Sequence, residues 1–481
     1  MGLGKFISKV ASPVLKFFGA NPLVSLGVSL FLAWALRPKV PEIEDFGTNE
    51  FDDFERGILL NKQSNDANIP VIYGERLVGG TRVFMETSGT DNTYLYMAIV
   101  MAEGEINSIE EVRVDDKAVT FASSLSDGTE VEVGSGDSNF YKNSESLIRI
   151  QPFFGTDGQS ASSLLSTLSS WGSNHRLRGL CYLALRFKWN QDAFTGIPKV
   201  QAKIKGKKVV TLASNLSEQT ASFSTNPAFC ILDYLRNERY GKGIATSEID
   251  LQSFYDASQV CVTQVTPYSG ASDINIFDTN AVIDTSQKII DNVRELLKGC
   301  RGYLPYTGGK YRLIIETTGS ASITLTEDDI IGGYNLSIPT KNERYNRVIV
   351  GFVNPDRNFQ VDEVQFPPID DSGLASADQH ATMKTADGGF LLEGRFSFKT
   401  LTSPYQAEEM AEVILRRSRE AMTLGLNVSF DAYDLAIGDI VNITHSSLGF
   451  SAKAFRVMGL TFNEDFTIGL SLVEYQASHY T

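Results

Sequence analysis

Four histidines, His175, His380, His445 and His479, are the residues best suited to acid–base or metal chemistry near neutral pH. They lie far apart, with no H-E-x-x-H pair and no His/Cys cluster. Cys181, Cys230, Cys261 and Cys300 are equally scattered; without C-x-x-C or zinc-ligand spacing they read as four buried free thiols. The acidic pairs Asp115-Asp116, Asp328-Asp329 and Asp370-Asp371 carry the carboxylates a glycosidase uses, set about 5–10 Å apart. Adjacent aspartates in loops more often face water or cap a turn. Asp439 and His445 are close on an expected hairpin, but the spacing brings no nucleophile to them. Gly79-Gly80 and Gly332-Gly333 run into strand-like residues, whereas a phosphate cradle needs a helix opening at that point. No G-x-S-x-G, Walker or dinucleotide fingerprint stands in context. The expectation is therefore no catalytic, cofactor-binding or metal residue, and no cofactor.

The elements that would position any site point the same way. At roughly 150 residues per domain, 481 residues make about three domains, and 42% hydrophobic residues suffice for their cores. The 43 Lys and Arg against 58 Asp and Glu leave a net charge of −15. Gripping nucleic acid requires clustered cations, so that class is disfavoured. Short runs rich in Val, Ile, Tyr and Phe, such as Tyr94–Met101, Leu180–Trp189, Arg347–Val353 and Phe455–Leu460, are separated by Gly, Asn and Asp and read as strands. Helical spacing appears after Asn226-Pro227 up to Gly241, over Thr285–Lys298, and from Ser403-Pro404 through Leu415 to Arg416, Arg417 and Arg419. Segments 156–172 and 367–389 read as long surface loops.

The expected class is α+β and β-rich: two small β-barrel regions flank a mixed α/β middle, preceded by a hydrophobic helical N-terminal segment. The boundaries are 1–45 for that segment and its linker, 46–225 for the first β region with an insertion, 226–320 for the middle, and 321–481 for the second β region with one helix at about 404–420.

Residues 5–18 set Lys5, Lys9 and Lys16 among Phe6, Ile7, Val10, Val14, Phe17 and Phe18. An uncharged run, Leu23–Leu36, follows. Fourteen helical residues span about 21 Å, short of a bilayer core of about 30 Å, which disfavours a simple transmembrane helix. Three readings stay open: a retained segment docking on protein or lipid, a signal peptide cleaved after Ala33-Trp34-Ala35, or an ordinary buried helix.

Several short stretches together carry a resemblance. Ile69–Gly80 (IPVIYGERLVGG), Tyr94–Lys117 with its Ala-Glu-Gly-Glu turn, and Arg178–Lys208 follow one another in order. Asn226–Gly243 (NPAFCILDYLRNERYGKG), Tyr345–Val348 and Ile437–Val441 complete the series. In this order they resemble tail-tip hub proteins of long-tailed (siphovirus) phages, the family that includes the host-specificity tail protein of lambda-like phages. Ile437-Gly438-Asp439 departs from the family's Pro-Gly-Asp, which weakens that one motif.

The resemblance implies a structural, non-enzymatic protein of the phage tail tip, made in the host cytoplasm. It implies a homotrimer whose two tube-like β-barrels per chain form a pseudo-sixfold ring. That ring would join distal tail and tail tube proteins to the tip and to other tip or fibre proteins, and DNA would pass through it during ejection. Acidic walls suit a channel that must not hold phosphate. The sequence ends at Thr481 where lambda-like relatives continue into fibre regions, so receptor recognition is expected to fall to another protein. Phe17, Phe18, Leu26, Phe31 and Trp34 are then the candidate contacts to the tape-measure protein or to the host membrane. Two other classes compete: a secreted or membrane-associated β-rich binding protein, and a tail-associated cell-wall hydrolase.

Overall fold

The computed structural model describes residue 61 and residues 67–267, 271–340, 343–368, 375–420 and 422–480. In the first β region the chain runs through β1 (Val71–Tyr73), β2 (Glu75–Gly79), β3 (Thr81–Ser88), β4 (Tyr94–Glu103) and β5 (Ile106–Val114). It continues through β6 (Val131–Glu132), β7 (Ile148–Phe154), β8 (Leu180–Lys188) and β9 (Val200–Val209). One antiparallel sheet has the order β3–β4–β8–β7–β6; in a second, β9 lies between β2 and β5. The chain crosses from one sheet to the other at Gly80. A Cβ there would sit 2.2 Å from the Val100 carbonyl oxygen, so only glycine fits the corner.

Met97, Ile99 and Met101 of β4 and Leu183 and Leu185 of β8 fill the space towards Ile106, Val112, Ala202 and Ile204 of the second sheet. The other face of the same strands presents Tyr96, Ala98, Val100, Tyr182 and Ala184, which Leu164, Leu165, Leu168 and Trp171 cover. Burial on both faces explains why Tyr94–Met101 and Leu180–Leu185 read as continuous apolar runs rather than alternating ones. It also corrects the expectation for 156–172. Its Gly/Ser-rich composition suggested a surface loop, but its leucines and tryptophan make it a packed lid.

The middle is helical. Asn226 caps α1 (Pro227–Arg236) by accepting from the Ala228 amide, with Pro227 in the first turn. The helix stops before Gly241, whose role is close approach: a Cβ there would fall 1.8 Å from the Tyr234 carbonyl oxygen. Then come α2 (Leu251–Cys261), β10 (Ala281–Ile283), which pairs antiparallel with β1, and α3 (Ile289–Gly299). Helix α2 was not anticipated, although Leu251, Phe254, Ala257 and Cys261 follow helical spacing.

The last third carries β11 (Ala321–Leu325), β12 (Ile330–Ser337), β13 (Arg347–Asn354), β14 (Gln360–Phe366), α4 (Ala375–Ala386), β15 (Glu393–Ser397) and α5 (Pro404–Arg419). After them come β16 (Thr423–Val428), β17 (Ile440–His445), β18 (Phe450–Phe462) and β19 (Ile468–Glu474). Helix α4 corrects the loop expected over 367–389; it is alanine-rich and has no apolar stripe to betray it. The sheet β14–β13–β15 and helix α5 share one hydrophobic core with α1, α2 and α3. The remaining strands form a six-stranded sheet, β11–β17–β18–β19–β16–β12, around a core of its own.

The β-rich α+β class is as expected, but the barrels are not closed. Among the described residues no sheet joins its own two edges by hydrogen bonds. In the six-stranded sheet only Thr326–Asp329 connect edge strand β11 to edge strand β12, which forces the sheet to curl. The edges approach at that corner and leave the outer side of β12 unpaired along its length.

Candidate assembly interface

Several of the residues with chemical potential bond to their own neighbours in the fold. The His175 ring accepts from the Gly172 amide at 2.8 Å, His479 contacts Glu420 at 2.7 Å, and His445 lies 3.5 Å from Glu327. Asp439 accepts from the Ala436 amide and Asp329 from the Thr326 amide. Asp115 and Asp116 form a left-handed turn, Asp115 accepting from the Lys199 amide and Asp116 pairing with the Lys199 ammonium at 2.8 Å. Asp370 and Asp371 lie outside the described residues. All four cysteines are buried and free, and burial raises their thiol pKa values, that of Cys300 to about 12. Among the described residues no three His, Cys, Asp or Glu side chains are grouped to hold a metal ion, and no helix is long and apolar enough to cross a membrane.

What the sequence reading missed is a buried ionic cluster joining the middle to the C-terminal part. Glu316 is 1% exposed. It accepts from Arg417 at 2.7 Å, from the Tyr303 hydroxyl at 2.7 Å and from the Tyr480 hydroxyl at 2.5 Å. Arg456 stands 3.7 Å away and donates to the carbonyls of Gly438 and Thr317 while covering the Tyr475 ring at 5.0 Å. Burial alone would raise the Glu316 pKa. The two guanidinium groups and the two phenols overcome it and hold the carboxyl down at about 2. Helix α5 thus delivers Arg417 to Glu316, and Arg419 to Asp387 through bonds of 2.9 and 3.2 Å. Those arginines looked suited to the helix C-terminus; their burial partners come from distant sequence, which no local pattern could reveal.

Two further charged groups, Arg76 buried and Asp233 half-buried, bind the first β region to the rest. Arg76 donates to the carbonyls of Asn280 at 3.1 Å and Lys399 at 3.0 Å, and burial lowers its pKa to about 10. Asp233 of α1 accepts from the hydroxyls of Tyr73 at 2.6 Å and Tyr240 at 2.7 Å. Every one of these charges is committed to a neighbour inside the protein. The arrangement fixes three parts of the chain relative to one another and leaves none of these groups facing a substrate.

The outward-facing features are apolar and lie at sheet edges. Edge strand β12 is exposed over nearly its whole length and displays Ile331, Tyr334 and Leu336, with Ile338 just beyond. Long exposed edges of this kind are templates for pairing with another chain. Edge strand β3 alternates instead, exposing Val83 and Met85. Beside it runs a groove of about 670 Å³ lined by Met85, Leu95, Phe187, Trp189, Phe194 and Ile197. Phe17, Phe18, Leu26, Phe31 and Trp34 lie outside the described residues.

The result is a β-rich scaffold stapled by internal charges, whose outward apolar sheet edges another chain can pair with. Residues 288–460 match the family described as "Putative phage tail protein". The chain is 24% identical over 461 residues to the baseplate hub protein pb3 of Escherichia phage T5, covering 85% of this chain and 47% of that protein. It is 22% identical over 290 residues to tip attachment protein J of Escherichia phage SECphi27, covering 55% of this chain and 23% of that protein. The chain therefore spans less than half the length of either curated relative. Its fold is like that of a chain in the virion of a native gene transfer agent particle. That match has a TM-score of 0.58 at 16% identity and covers 99% of this chain and 98% of the other. The likeness to phage tail-tip hub proteins read from the sequence motifs holds.

Proposed function

We propose that the chain is a structural hub of a phage tail tip, located in the virion, with no enzymatic role. The observation that carries this is the similarity to a baseplate hub protein along 85% of the chain. In this reading the parts read as 46–225 and 321–481 are two tube-like units joined by the middle. Three copies form a pseudo-sixfold ring between the tail tube and the tip. Open, curled sheets with unpaired apolar edges support it, because a neighbouring copy can cover what a single chain leaves exposed. The net charge of −15 supports a lumen along which DNA slides without being held. Phe17, Phe18, Leu26, Phe31 and Trp34 would meet the tape-measure protein or enter the host membrane when the tip opens.

Cryo-electron microscopy of intact particles, with gold-labelled antibody against this chain, tests the reading. Label at the distal tail end and density for three copies are the expected result. Label elsewhere on the particle or a monomeric position overturns it, and a basic lumen removes the argument from charge. A zymogram on peptidoglycan should show no clearing; clearing would favour the cell-wall hydrolase.

A further inference from the structure

Four aromatic side chains stand exposed together at one end of the six-stranded sheet. Phe430 and Tyr433 lie in the loop after β16, Phe462 ends β18, and Phe466 sits in the β18–β19 turn. The Phe430 ring is 5.2 Å from that of Tyr433 and 6.4 Å from that of Phe466; Tyr433 is 6.0 Å from Phe462. Phe466 is 77% exposed and holds a left-handed backbone with φ of 59°. A bulky side chain pays strain for that conformation, where Asn or Gly would pay little.

The turn is built to hold this shape. The Asn463 amide donates to the Thr467 carbonyl at 2.9 Å, and the Thr467 hydroxyl donates to Asp465 at 2.7 Å. Exposed carboxylates border the rings: Asp431 and Asp434 beside Phe430 and Tyr433, Glu464 and Asp465 beside Phe466. Asp431 takes a bond from the Ser429 hydroxyl and Asp465 from that of Thr467, neither of which cancels a charge. From Glu420 to Ala452 and from Val457 to Thr481 the sequence contains no Lys or Arg.

The occupant of such a face should be apolar and cationic, and the chain carries one such segment. Residues 5–18 contain Lys5, Lys9 and Lys16, seven large apolar residues and no acid. We infer that this N-terminal stretch docks on the Phe430–Tyr433–Phe462–Phe466 face, its Phe and Val side chains on the rings and its lysines on the bordering carboxylates. Phe17 and Phe18 are thereby covered until docking is released, which adds a resting state to the contacts proposed above.

The connection reaches. The chain from Phe18 to Asn61 can extend about 140 Å, against a radius of gyration of roughly 23 Å for a globule of this length. Tethering also relaxes the affinity needed. An effective concentration on the order of 1 mM fills most sites at an intrinsic Kd of about 0.1 mM. Lysine over an aromatic face contributes beyond simple ion pairing.

The test uses the purified full-length chain with Phe466→p-benzoylphenylalanine, irradiated and mapped by mass spectrometry. Cross-links to residues 5–18, from the same or a neighbouring copy, are expected; cross-links elsewhere only, or none, overturn the inference. Joint replacement of Asp431, Asp434, Glu464 and Asp465 by Lys should lower the yield at least fivefold with unchanged circular dichroism. Adding Lys5→Glu, Lys9→Glu and Lys16→Glu should restore it, and a yield indifferent to both changes overturns the charge pairing. Because this experiment needs no particle, its failure is separable from failure of the hub reading.

Discussion

The two β regions handle their sheets differently. In the first, strands β4 and β8 are buried on both faces, by the opposing sheet on one side and by the Leu164–Trp171 lid on the other. In the second, the six-stranded sheet has its core inside the curl and leaves strand β12 and the aromatic end exposed. The first region buries both faces of its central strands within one chain and leaves apolar surface at the β3 edge and its groove. The second keeps apolar surface uncovered, which for a soluble globular protein marks an interaction face. In the proposed hub, the contrast predicts that the buried strands and the ionic cluster carry stability while the exposed β12 edge and aromatic end carry contacts to other chains.

That comparison can be broken or sharpened by substitution. The largest effect is expected at the joint between the parts. Glu316→Gln strands Arg417 and Arg456 without a counter-charge and should cost about 3–5 kcal/mol in denaturant titration. Since the folded pKa of Glu316 lies below its usual value of 4.5, its contribution is complete above that pH. It is lost as pH falls towards about 2. The wild-type chain should therefore lose stability across that window more steeply than the Gln variant, and parallel acid titrations would expose an error in this assignment.

Next comes the lid. Leu165→Ala should destabilise by about 2–5 kcal/mol, as for any fully buried leucine. A cost under 0.5 kcal/mol by thermal melting would mean that 156–172 is a surface loop after all. Gly80→Ala, which drives a methyl towards the Val100 carbonyl, should cost about 1–3 kcal/mol. The smallest stability effect belongs to the second region. Tyr334→Lys on β12 should change the stability of the single chain by no more than about 0.5 kcal/mol. It should nevertheless abolish incorporation into particles, measured by immunoblot of purified tails; normal incorporation would remove β12 from the assembly surface.

Much of the fold was legible because its signals are local. Asn226-Pro227 opened a helix because an amide oxygen caps the first turn and proline presets its φ. Ser403-Pro404 also opened one, yet the serine side chain makes no capping bond there, so proline and the apolar stripe carried the signal. Helix α4 was missed because it has no stripe, and the lid because glycine and serine outnumber its buried residues. The candidate surface was less legible. Val83, Met85, Ile331 and Tyr334 look like ordinary strand residues, and only strand order shows which strands are edges.

The sequence by itself determined the β-rich class, the capped helices, the scattered histidines and thiols, and the ordered motifs that resemble those of phage tail-tip proteins. Each depends on residue type and short-range spacing. Tertiary structure alone decided that Glu316 meets Arg417, Arg456, Tyr303 and Tyr480, and that Phe430, Tyr433, Phe462 and Phe466 share one exposed face. It also decided that four residues between β11 and β12 curl a sheet without closing it. These depend on which distant segments fold against one another, and burial, not spacing, gives a buried charge or an exposed ring its consequence.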